Sequence, residues 1–183
     1  MSNFKSMKTT QFIFFAIMIP FIGACNNKID KTTVTTLDIK RYMGRWYEIA
    51  RFDHKFERGK VGVTANYTLN DDGTILVVNS GYDGSLDGQL GTAIGKAKQP
   101  NPNRPGELKV SFFWIFYGQY NILELDHENY SYALIGSSTD KYLWILSRTP
   151  QMSQETLNSL LKKAKERGYD TSKLIYVEQN KVH

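Results

Sequence analysis

From Gly44 onward the chain alternates apolar and polar positions in short runs, a period of two that sends successive side chains to opposite faces of a strand. In GRWYEIARF, residues 44–52, Trp46, Glu48, Ala50 and Phe52 fall on one side and Tyr47, Ile49 and Arg51 on the other. Both sides are partly apolar, which predicts a strand packed on its inside and wrapped on its outside. Further strands are predicted over 61–69, 74–82, 89–98, 107–113, 120–126, 130–136 and 142–148. Asn70-Asp71-Asp72-Gly73, Asp83-Gly84-Ser85 and the proline- and glycine-bearing loop 100–106 punctuate them. A short helical turn is expected over 37–44. After the eighth strand, Ser153 opens a helix whose Leu157, Leu160, Leu161 and Ala164 form one apolar stripe ending at Gly168. Residues 173–178 read as a last short strand.

Nothing between the strands is long enough for a crossover helix, so a parallel sheet is not expected. The pattern predicts an all-β fold: an eight-stranded antiparallel up-and-down β-barrel with one C-terminal helix packed outside and a short final strand. A barrel of eight strands is just wide enough either to fill itself with side chains or to hold one small ligand. Gly91, Ala93, Gly95 and Ala97 put a row of small residues on one face of the fourth strand. On the inner face they would leave space; on the outer face they would admit the helix. The sequence leaves both open.

The N-terminus has a different organisation. Lys5 and Lys8 precede the apolar run QFIFFAIMIPFIGA, the layout of a secretory signal over residues 1–24. The run closes on Ile22-Gly23-Ala24-Cys25, which resembles a bacterial lipobox and implies a diacylglycerol on Cys25 and attachment to a membrane. Residues 25–36 are polar and without pattern and read as a lipidated tether, leaving 37–183 as the barrel domain. Cys25 is the only cysteine of 183 residues, so no disulfide staples the fold. Removing Lys5 and Lys8 leaves 21 basic against 18 acidic side chains, interspersed rather than blocked, and nucleic acid is not an expected partner.

Gly44-Arg45-Trp46-Tyr47 resembles the G-x-W-Y motif that opens the first strand of lipocalins, and Leu146-Ser147-Arg148-Thr149-Pro150 resembles their late strand-end arginine. The longer blocks WYEIARFDHKFERG, KVSFFWIFYGQYNILELD and YLWILSRTP are similar to the bacterial outer-membrane lipocalins, related to apolipoprotein D. The resemblance spans about residues 37–177. It implies that Trp46 plugs the closed barrel end with Arg148 across its indole, a structural pair rather than a ligand contact. With that register, the period of two turns Tyr142, Trp144 and Leu146 inward. The same parity turns Val63, Ala65 and Tyr67 inward, with Val77 and Asn79, Val110 and Phe112, and Tyr120 and Ile122. Tyr117 is expected near the open mouth, as a ligand contact. The resemblance implies a fatty acid or lysophospholipid as ligand, carried for envelope maintenance.

Residues 53–59, DHKFERG, fall in the loop that caps the mouth in this family; its charges are read either as a headgroup contact or as an ordinary solvated loop. The alternative to a lipid carrier is a filled barrel that binds a protein partner through its open-end loops, with Trp114, Ile115 and Phe116 as the apolar contact. No catalytic constellation, metal set or cofactor motif is present: the histidines are His54, His127 and His183, and Gly91–Ala97 lacks the first glycine and the Ser/Thr of a phosphate loop. The chain is not expected to be an enzyme.

Overall fold

The computed structural model describes residues 28–113 and 115–179; the secretory signal expected over residues 1–24, Cys25, Trp114 and His183 lie outside the described residues. Nine strands form one antiparallel sheet: β1 Gly44–Phe52, β2 Lys60–Leu69, β3 Ile75–Asp83, β4 Leu90–Lys98, β5 Glu107–Phe113, β6 Phe116–Leu125, β7 Tyr132–Gly136, β8 Leu143–Ser147 and β9 Leu174–Tyr176. Each of β2 to β7 pairs with the next, β8 pairs with β1, and β1 pairs back with β2, so eight strands close into a barrel. β9 adds to the outside of β1 at Ala50, Arg51 and Phe52. β6 starts four residues before the position expected from the sequence, because Phe116 and Gly118 continue the ladder with Phe113 and Val110.

Among the described residues two α-helices close the architecture. α1, Ile39–Tyr42, is a single turn capped by the Asp38 carboxylate, and it seals one barrel end. α2, Gln154–Glu166, is capped by Ser153 Oγ on Thr156 N and lies on the outer wall. Leu160 and Ala164 are buried there, with Leu157 and Leu161 at the margin, against Ile49, Ala50, Phe52, Leu123, Leu134, Leu143 and Ile145. A second apolar cluster fills the closed half of the barrel and includes Tyr42, Trp46, Tyr67, Ile75, Leu108, Ile122 and Ile135.

Strand β1 departs from simple alternation. Opposite β8, Glu48 faces Leu146 but Ala50 faces Ile145, so Ile49 is an extra residue in a β-bulge. Past the bulge the faces exchange: Ala50 and Phe52 join the outer cluster and Arg51 turns inward to Glu48. The expected grouping of Trp46, Glu48, Ala50 and Phe52 on one face is therefore corrected at its midpoint.

Residues 28–36, expected as a free tether, instead lace down the barrel wall. Asp30 N donates to Arg167 O, Lys31 Nζ to Ser138 O, and Val34 N to Ile122 O. An extended segment carries no periodic signal when its hydrogen bonds go to distant parts of the chain.

Candidate ligand cavity

The closed end is built around Trp46, which is fully buried and donates its Nε1–H to Tyr42 O at 2.9 Å. The Arg148 guanidinium lies 3.8 Å above that ring and donates to the carbonyls of Arg41, Arg45 and Tyr130. Gly44 enters β1 with φ +90°, and a Cβ there would stand 3.5 Å from Arg148 Nη1. That conformation favours glycine.

Above the plug, three tyrosine hydroxyls satisfy one another. Tyr42 and Tyr120 are 2.7 Å apart, and Tyr67 and Tyr120 are 3.2 Å apart. Burial pushes the Tyr67 hydroxyl up to about 12, and burial also raises those of Tyr42 and Tyr120, so all three stay neutral donors and acceptors.

Over this floor lies a cavity of about 650 Å³, open at the other barrel end. Its apolar wall includes Val63, Ala65, Tyr67, Val77, Val110, Phe112, Tyr120, Tyr142, Trp144 and Leu146, with Asn79 among them. These are residues that strand parity turns inward. Ile122 faces the interior too but is packed beneath the cavity, in the floor cluster. Tyr117 is the correction. It stands on the outer face with Lys98 Nζ 4.5 Å over its ring, since Phe116, Gly118 and Tyr120 take the inward positions of β6. The row of small residues also resolves. Gly91, Ala93 and Ala97 line the cavity, and a Cβ on Gly95 would stand 2.7 Å from the Phe112 ring. The small face of β4 makes room inside, and α2 sits elsewhere.

At the mouth the chain places a charged cluster that apolar patterning did not reveal. Glu48 and Arg51 are buried and paired at 2.6 Å. Arg51 Nη2 also donates to Glu57 O at 2.5 Å and to Lys60 O at 3.3 Å, which ties the loop 53–59 to the barrel wall. His54 Nε2 is 2.9 Å from Glu57 Oε2, and Trp144 Nε1 donates to the same oxygen at 3.2 Å. The His54 ring lies 5.4 Å from both Tyr142 and Trp144, which stack on each other. The loop is thus split: Asp53, Lys55 and Arg58 are exposed, while His54 and Glu57 turn into the mouth.

The two carboxyls titrate in opposite directions. Burial, with the Glu57 charge beside it, holds Glu48 well above the usual carboxylate range despite Arg51. Burial also works to raise Glu57, but the His54 and Trp144 contacts and Arg51 outweigh it and hold Glu57 below that range. The bulge at Ile49 is the signal the sequence lacked, because it alone brings Arg51 to the same face as Glu48.

A closed eight-stranded barrel, a tryptophan–arginine plug and an apolar cavity open at one end are now in place. The lipocalin-like domain family matches residues 37–179. The chain belongs to the lipocalin family. It is 49% identical over 146 residues to an outer membrane lipoprotein of Vibrio cholerae, covering 80% of this chain and 85% of that one. It is 37% identical over 150 residues to mouse apolipoprotein D, covering 78% and 77%. Insecticyanin of the tobacco hornworm Manduca sexta shares the fold, with a TM-score of 0.66 at 22% identity over 83% of this chain and 86% of that one.

Proposed function

We propose that this lipocalin carries a single-chain lipid, a fatty acid or lysophospholipid, and is held at the bacterial outer membrane through a diacylated Cys25. The observation that carries the reading is the cavity of about 650 Å³ with aliphatic and aromatic walls. Its size falls in the ordinary range of small-molecule pockets. Lys60 at its mouth is already paired with Asp83, and Arg51 donates to Glu48 and to the carbonyls of Glu57 and Lys60, so apolar burial rather than a cation supplies the affinity. About a dozen buried methylenes at about 0.8 kcal/mol each give roughly 10 kcal/mol of gross driving force, from which the costs of ordering are subtracted. The lipobox-like Ile22–Cys25 and the name of the bacterial relative support the membrane attachment and its place in the envelope. The role is binding and transfer rather than catalysis. The cavity counts against the filled-barrel alternative.

The test is a titration of delipidated protein with lysophospholipid and with fatty acid, following tryptophan fluorescence. Trp144→Phe serves as control, since Trp144 lines the wall. Saturable binding at or below micromolar concentration, with the signal change reduced in the control, is expected. A folded barrel that takes up neither lipid rejects the reading.

A further inference from the structure

The open end of the barrel carries apolar surface that the cavity does not account for. At the β5–β6 hairpin tip Phe113 is 69% exposed, Ile115 76% and Phe116 77%; across the mouth Phe56 is 58% exposed. Phe56, Phe113 and Phe116 also line the cavity, so the exposed surface continues into the apolar interior. Four large side chains in one rim exceed the scattered exposure normal for a soluble surface.

The path of the N-terminal segment shows which barrel end lies beside the start of the described chain. Lys31 Nζ lies 2.6 Å from Asp140 and donates to Ser138 O, in the β7–β8 loop at the open end. Ile29 packs against the outer cluster that contains Phe52, the last residue of β1 at that same end. From there the segment descends, until Asp38 N meets Tyr130 Oη at the closed end. The described chain therefore begins beside the mouth, at Lys28, three residues after Cys25. Three residues span at most about 10 Å. An acylated Cys25 would hold the mouth, not the closed end, against the bilayer.

The rim charges fit the same surface. Asp53 is paired with Arg58, Asp83 with Lys60 and Asp140 with Lys31. Lys55 Nζ stands 5.3 Å over the Phe56 ring, and Lys141 is exposed. An apolar rim flanked by exposed lysines is the pattern of an interfacial contact.

We infer that the protein sits mouth-down on a lipid bilayer, with Phe113, Ile115, Phe116 and Phe56 immersed at the headgroup boundary. A lipid then passes between bilayer and cavity without crossing water. That passage rests on the carrier reading, whereas the docking rests on the rim and the start of the chain.

The experiment uses the chain from Asn26 onward, which lacks the anchor but keeps Lys28–Gln179, the residues that form the closed barrel and its caps. With Cys25 removed, one introduced cysteine can be labelled alone. Ile115→Cys at the tip and Asp71→Cys in the closed-end turn each receive an environment-sensitive fluorophore. Each is mixed with vesicles of phosphatidylethanolamine and phosphatidylglycerol containing spin-labelled lipid. The expected result is a blue shift and quenching at 115 and neither at 71. Phe113→Ser with Phe116→Ser weakens vesicle partitioning at least tenfold while the circular dichroism of the barrel is unchanged. The inference is overturned if 115 does not respond to vesicles or if both positions respond alike. It is overturned equally if the 115 signal shifts without vesicles as protein concentration rises, which would identify a second copy as the occupant. Immersion of 115 in a protein that binds no lysophospholipid in its cavity would keep the docking and reject the carrier reading.

Discussion

Arg148 does three things from one position: it covers the Trp46 ring, joins the three carbonyls of Arg41, Arg45 and Tyr130, and closes the barrel end around them. Only a planar fork can donate in three directions while stacking. Arg148→Lys keeps the charge and loses most of those bonds, so it is expected to cost about 2 kcal/mol in urea unfolding. Its lipid titration should stay unchanged, because Arg148 does not line the cavity. A lysine variant as stable as the parent would show that the carbonyl bonds contribute nothing. The floor tyrosines act differently. Their abundance in the sequence suggests a polar need inside the barrel, yet Tyr42, Tyr67 and Tyr120 meet that need among themselves.

Among the elements, α2 depends on more than its apolar stripe. Glu124 on the outer face of β6 accepts from Lys163 Nζ at 2.7 Å and from Arg167 at 2.8 and 3.1 Å, and Arg167 also donates to Leu123 O. Burial works to raise Glu124, but the bonds from Lys163 and Arg167 prevail and hold it below its ordinary value. A carboxyl held down in the folded state stabilises it above the unfolded pKa. That contribution disappears as pH falls through the folded value. Glu124→Gln is therefore expected to lose about 1 kcal/mol at pH 7. The gap between variant and parent should shrink in thermal melts taken below about pH 4. A gap that is the same at acid and neutral pH would contradict the ion-pair account. Strand β1 works on the same scale: its bulge at Ile49 lets one strand bury Ala50 and Phe52 under the helix side and still present Glu48 and Arg51 to the mouth.

For the whole molecule the deciding quantity is the space left inside. Small residues on the inner face of β4 oppose the large ones of β5 and β8, and the difference in volume is the cavity. Ala93→Trp puts an indole into that space from a wall position that is open to it. Lipid affinity should fall at least tenfold while the melting temperature moves by only a few degrees, since an empty region accepts added volume without the strain of overpacking. A variant that binds as the parent does would show that the lipid lies elsewhere.

The sequence by itself determined the class of fold and most of the inner wall. Alternation, turn residues and one late amphipathic stripe are local properties, and strand parity carries them into three dimensions wherever a strand is regular. Val63, Val77, Val110, Trp144 and Leu146 follow from that rule. Tertiary structure decided the points at which the rule breaks or does not apply. The bulge in β1 reversed Arg51, the early start of β6 fixed Tyr117 outside, and the register of β4 against β3, with Ala93 opposite Asn79 and Gly95 opposite Val77, set which side of β4 faces inward. The segment 28–36 and the cluster of Glu48, Arg51, His54 and Glu57 were hidden for a related reason. Their bonds join residues far apart in the chain or across an irregular strand, and no periodicity records such a contact.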